Sequence, residues 1–141
     1  MATARITSTR YRESLMTVHK RYCMALDLKD DPELIEEYRR YHGPGQVWPE
    51  VIESIKNAGI EDMEIYILGN RLFMIMDVNE QFDFDKKSLA DAENQKVQDW
   101  EQLMWKFQLP LQWAKPGEKW LMTELMFKLP QDELQQRELP Q

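Results

Sequence analysis

With one cysteine, Cys23, no disulfide framework can form within this chain, which suits a reducing compartment. Cys23 sits in an alternating apolar run and reads as a small buried hydrophobe, not a nucleophile. No apolar stretch approaches the ~20 residues of a membrane-spanning helix, so no membrane partner is expected. The first twenty residues lack the apolar centre of a secretory signal. They carry Arg, Ser and Thr in the manner of a transit peptide. Glu13 and the want of an amphipathic stripe make residues 1–19 an N-terminal extension instead, and the expected location is cytoplasmic. There is no GxxxxGK[ST] phosphate loop and no GxSxG nucleophile elbow. With no HxxxH or CxxC pair, and with Asp83, Asp85 and Asp91 off the EF-hand spacing, no metal is expected. Positive charge is also short: 18 Lys and Arg stand against 25 Asp and Glu, a net −7. Such a surface repels phosphate backbones, so nucleic acid is excluded as a partner.

What is present is patterned. In residues 21–28, Tyr22, Met24, Leu26 and Leu28 fall on one face, and Cys23, Ala25 and Asp27 on the other, the period of a strand. Asp31-Pro32 is an N-cap followed by a proline at the first helical position, and the helix runs through His42 to stop at Gly43-Pro44-Gly45. Trp48-Pro49 opens a second helix that ends at Gly59. Strands over 61–68 and 71–78 are joined by Gly69-Asn70, a hairpin signal. A polar-rich helical stretch spans about 83–107, with a break near Asp91, and residues 120–129 read as a last strand. The order βαββαβ is the ferredoxin-like split arrangement, an α+β fold with an antiparallel sheet. The domain is set at 20–130, with a polar tail over 131–141. One layer of helices leaves a sheet face open, yet the strands carry large apolar groups on both faces. A homodimer with its sheets face to face, a dimeric α/β barrel, is therefore expected, with the pocket between the open sheet face and covering loops.

His42 is the residue best suited to chemistry. An imidazole with a pKa of about 6.5 exchanges protons at neutral pH, and Tyr38 lies four residues earlier on the same helical face. A histidine in a last helical turn is equally explained as a partner of the helix dipole, and spacing alone favours that simpler role. His19 lies in the extension and looks incidental. Trp100, Trp105, Trp113 and Trp120 cluster in the last third, with Trp48 beside the first helix. Such rings stack on the C–H faces of sugars, although a tryptophan more often packs in a core.

In combination these segments are more specific. EEYRRYH over residues 36–42 followed by WPE at 48–50, the hairpin with Ile65-Tyr66-Ile67-Leu68 and Leu72-Phe73, Gln98 with Trp100, and Gln108-Leu109-Pro110-Leu111 occur in order, before a close at Phe127-Lys128-Leu129-Pro130. Over roughly residues 20–130 the sequence resembles the L-rhamnose mutarotase family. The resemblance implies a dimeric ferredoxin-like fold that interconverts the anomers of a 6-deoxy-hexose without a cofactor. It implies His42 as catalytic proton donor and Tyr38 and Trp100 as sugar contacts; Trp48, following the turn after His42, is expected as a further wall of the sugar site. The second of the family's paired tryptophans is Glu101 here, and a family tyrosine aligns with Met63. These departures fall among sugar contacts and bear on which sugar is used, L-rhamnose or L-fucose, more than on the reaction. WEQLMWKFQ looks closer to the L-fucose branch. The competing expectation is a non-catalytic sugar-binding protein, or a monooxygenase-like dimer on the same architecture.

Overall fold

The alternating run near the N-terminus becomes β1, Lys20–Leu28, in the computed structural model, which describes residues 20–131. The expected extension at 1–19 and nearly all of the expected tail lie outside the described residues. Helix α1, Pro32–Tyr41, starts where Asp31 accepts hydrogen bonds from the backbone N–H groups of Glu33 and Leu34 at 2.9 and 3.2 Å. Helix α2 is Pro49–Asn57, again with proline in its first turn. Strands β2, Ile60–Leu68, and β3, Arg71–Val78, form the hairpin. Gly69 takes φ of 59° at its turn, a conformation that costs glycine nothing. The Asn70 side chain donates to the Leu28 carbonyl at 2.9 Å and ties the turn to the end of β1.

The polar-rich stretch divides into α3, Phe84–Ala92, and α4, Gln95–Trp105. The break falls at Asn94, whose side chain caps α4 by accepting from the Val97 N–H. Asp83 caps α3 in the same way, so the acidic cluster is used for capping and pairing. β4, Gln108–Leu109, and β5, Leu121–Met122, complete a five-stranded antiparallel sheet in the order β2-β3-β1-β4, with β5 also on β1. That is the ferredoxin-like order, and the fold class is α+β as expected.

The last strand differs from expectation. Only Leu121–Met122 of the expected 120–129 joins the ladder. Thr123 donates to the Cys23 carbonyl through both its N–H and its hydroxyl, at 2.9 and 2.7 Å, and pairing ends there. Beyond it Leu125, Met126, Phe127 and Leu129 are 70–96% exposed, because nothing among the described residues covers them. Cys23 is also only half-buried, since it lies on the sheet face opposite the helices.

The helix-bearing face holds two packed clusters. One gathers Leu28, Tyr38, Leu72, Trp100, Met104 and Phe107; the other gathers Ile60, Met74, Met76 and Val78. Ile55 and Trp120 touch both. Phe107, at 0% exposure, meets the rings of Tyr38 and Tyr41 edge-on or tilted, each at 5.8 Å. Phe107→Ala is expected to cost about 3–5 kcal/mol in urea unfolding, the usual loss for a fully buried ring. A cost below about 1 kcal/mol would show that α1 does not depend on this ring.

Candidate functional site

Between the two clusters lies a cavity of 990 Å³. It opens on the helix-bearing face of the sheet and not, as the sequence suggested, between the open face and loops. It is lined by Tyr38 of α1, Val51 and Ile55 of α2 and Trp100 and Met104 of α4 on one side, and by Met24, Met74 and Met76 of β1 and β3 on the other. Its floor is rich in methionine, with Met24, Met63, Met74, Met76 and Met104 among the lining residues.

His42 lines this cavity. It is the residue that ends α1, and its ring turns back so that Nδ1 lies 2.8 Å from the Tyr38 carbonyl. A carbonyl can only accept, so Nδ1 carries the proton and Nε2 is the basic nitrogen of the neutral ring. Burial lowers the imidazole pKa below its ordinary 6.5, and the bond to the Tyr38 carbonyl offsets part of that shift. At neutral pH the ring is uncharged.

Tyr38 stacks on it, ring centroids 4.3 Å apart and planes at 33°. Its phenol pKa is pushed up to about 12, chiefly by burial and partly countered by a hydrogen bond from the Gln108 amide. The hydroxyl therefore stays protonated and can donate. Trp100 approaches the imidazole edge-on at 5.6 Å, and Trp48 approaches Trp100 at 5.3 Å. All four sequence-selected residues thus form one continuous aromatic chain. Tyr38, His42 and Trp100 line the cavity, whereas Trp48 stands behind Trp100 and is absent from the lining. Its ring supports Trp100 edge-on.

The lining takes in further residues, of which sequence reasoning passed over Lys119 and gave Gln108 no role. Glu101 and Met63, the two departures from the family pattern, both face the cavity. So does Lys119, whose ammonium donates to the Glu101 carbonyl at 2.9 Å and rests 4.6 Å from the Trp105 ring. Burial lowers its pKa. Gln108, 5% exposed, also lines the cavity. The sequence marked Gln108 as the start of the Gln108-Leu109-Pro110-Leu111 motif, and as a lone polar residue between Phe107 and Leu109. Among the described residues no three His, Cys, Asp or Glu side chains are grouped to hold a metal ion, and no helix is long and apolar enough to cross a membrane.

The pairing of a neutral buried imidazole with a protonated phenol suits proton transfer between neighbouring oxygens of a small polyhydroxylated molecule. Comparison with known proteins agrees. A profile of the L-rhamnose mutarotase family matches residues 21–129. An L-fucose mutarotase of Xanthomonas campestris pv. campestris is 46% identical over 110 residues, covering 78% of this chain and 88% of that protein. An L-rhamnose mutarotase of Shigella flexneri is 28% identical over 110 residues, covering 75% and 96%. The crystal structure of an L-rhamnose mutarotase from Formosa agariphila aligns with a TM-score of 0.56 at 21% identity, over 79% of this chain and 99% of that one, a likeness of fold. By sequence pattern, sheet order and profile alike, the chain belongs to the L-rhamnose mutarotase family and so to the carbohydrate isomerases.

Proposed function

We propose that this chain interconverts the α and β anomers of a 6-deoxy-hexose by acid/base catalysis at His42, and that of L-rhamnose and L-fucose it favours L-fucose. The observation that carries the chemistry is the anchored imidazole: Nδ1 is held by the Tyr38 carbonyl, which leaves Nε2 as the working nitrogen on a cavity wall. The preference for L-fucose is supported by the 46% identity to an L-fucose mutarotase, against 28% to the Shigella L-rhamnose mutarotase.

A pyranose anomerises by opening. Nε2 accepts the proton of the anomeric hydroxyl; the O1 electron pair forms the C1 carbonyl as the C1–O5 bond breaks. The imidazolium then gives its proton to O5. Both oxygens are bonded to C1, so one ring reaches both. Rotation about C1–C2 presents the other carbonyl face, and the same steps in reverse close the ring. Tyr38 donates a hydrogen bond to a sugar oxygen, and the Trp100 edge bounds the C–H surface of the sugar. Atoms and charge balance without a cofactor.

The other sheet face is proposed as the seat of a second copy. Ala25, Phe73, Ile75 and Leu121 form its apolar centre, flanked by the Arg21–Asp77 and Arg71–Asp27 ion pairs. The apolar arm beyond Thr123 is uncovered at the adjoining edge of β1. A second sheet would bury both, as well as Cys23.

Saturation-transfer NMR on L-fucose and L-rhamnose reads anomer exchange directly. Wild-type protein is expected to accelerate it, and His42→Ala to lose ~10²–10⁴-fold. Full activity in that variant would remove His42 from the reaction, and wild-type binding without exchange would leave only a sugar binder. The rate is expected to be level above pH 6.5 and to fall on an acid limb displaced below 6.5, because the lowered pKa keeps the base form abundant. Stability follows the same sign: the unfolded chain binds the proton first, so the stability His42 contributes is present above 6.5 and is lost as pH falls through the lower folded value. A rate limb centred above 6.5 would contradict this. In light scattering the particle is expected at twice the 17.0 kDa of one chain, and Phe127→Asp to shift it toward a single chain. A wild-type monomer at micromolar concentration would dispose of the dimer.

A further inference from the structure

Gln108 is buried where an apolar residue would be the simple choice. In β4 it pairs with Leu28, a residue of the main core cluster, and follows Phe107, which has no exposure at all. A buried amide must find partners for both ends. One end is used, since the amide donates to the Tyr38 phenol. The other is not: Oε1 is a buried side-chain oxygen without a partner among the described residues, and Gln108 lines the cavity. Oε1 itself has less than 1 Å² accessible, so a donor in the cavity reaches it through a turn of the amide, and the buried acceptor gains its missing partner when that happens.

We infer that Gln108 Oε1 accepts a hydrogen bond from the sugar's C2 hydroxyl, and so reads the configuration at that carbon. The inference rests on the mutarotase reading above. With His42 at the anomeric centre and Tyr38 stacked on His42, a group hydrogen-bonded to Tyr38 lies beside C1. C1 has two ring neighbours. One is O5, which has no hydrogen to donate in the closed sugar. The other is C2, whose hydroxyl is a donor. L-Fucose and L-rhamnose have opposite configurations at C2, as they do at C4. An acceptor fixed between β4 and α1 therefore meets the hydroxyl of one sugar better than that of the other. A site built to bond a hydroxyl discriminates strongly against a ligand that cannot supply it, because its own buried group is then left unpaired.

The test is a cycle between protein and sugar. Exchange rates, expressed as enhancement over the uncatalysed rate, are measured for wild type and Gln108→Met with L-fucose and with 2-deoxy-L-fucose, and kcat and KM are separated. Wild type is expected to lose roughly 10- to 100-fold in kcat/KM when the C2 hydroxyl is removed. Gln108→Met is expected to lose a similar factor with L-fucose and little more with the deoxy sugar. Equal losses for Gln108→Met with both sugars would reduce Gln108 to a positioning residue for Tyr38 and overturn the inference. Gln108→Glu, which keeps an acceptor, is expected to retain more activity on L-fucose than Gln108→Met. If both variants fail to fold in a thermal melt, the wild-type comparison decides alone: undiminished kcat/KM on 2-deoxy-L-fucose overturns the inference. Absence of exchange by wild type on any 6-deoxy-hexose would instead sink the mutarotase reading itself.

Discussion

The bond between His42 Nδ1 and the carbonyl of Tyr38 organises the site. It is local, four residues within one helix, yet it sets three properties together. It fixes the tautomer, it aims the ring, and it uses a carbonyl that α1 would otherwise leave unpaired at its end. Tyr38 enters twice, through its backbone as anchor and through its phenol as the ring stacked on the imidazole. The role of partner to a helix end and the proposed role of catalyst, which the sequence presented as alternatives, are therefore compatible: the cap is what orients the ring.

Around that bond the protein accepts a divided core. Helices that closed fully over β1 and β3 would merge the two apolar clusters, and the space between them would vanish. The chain instead keeps a cavity and lines it with groups whose burial shifts their proton affinities: His42 and Lys119 down, Tyr38 up. Burial favours the neutral form in each case, while the wall also carries charged side chains such as Asp91, Lys87 and Glu101. The long-range packing that supports this is Phe107 beneath Tyr38 and Trp48 behind Trp100.

Local signals in the sequence carried the architecture well. Alternation identified β1, the Asp31-Pro32 and Trp48-Pro49 pairs marked both helix starts, and apolar runs on either side of Gly69-Asn70 marked the hairpin of β2 and β3, because each depends on nearest neighbours along the chain. The final strand was misjudged for the opposite reason. Leu121 to Leu129 have strand-like composition, but whether a strand forms depends on what lies beside it, and the described residues offer two residues of pairing. The site shows the same division. Tyr38 and His42 were legible because four residues make one helical face. The cavity's position above the helix-bearing face, the retreat of Trp48 behind Trp100 and the orphaned oxygen of Gln108 depend on contacts across the sheet, which no spacing along the chain encodes.

The methionine floor has its own consequence. Thioether side chains turn about three bonds and fill irregular space with little preference among shapes. Five of them meet at the cavity, four rising from three adjacent strands and one descending from α4. The floor of the cavity can thus be remoulded by rotamer changes while the sheet stays still. On the proposed function, selectivity then falls to the few rigid polar atoms of the wall, and a new preference can evolve there by single exchanges without rebuilding the scaffold.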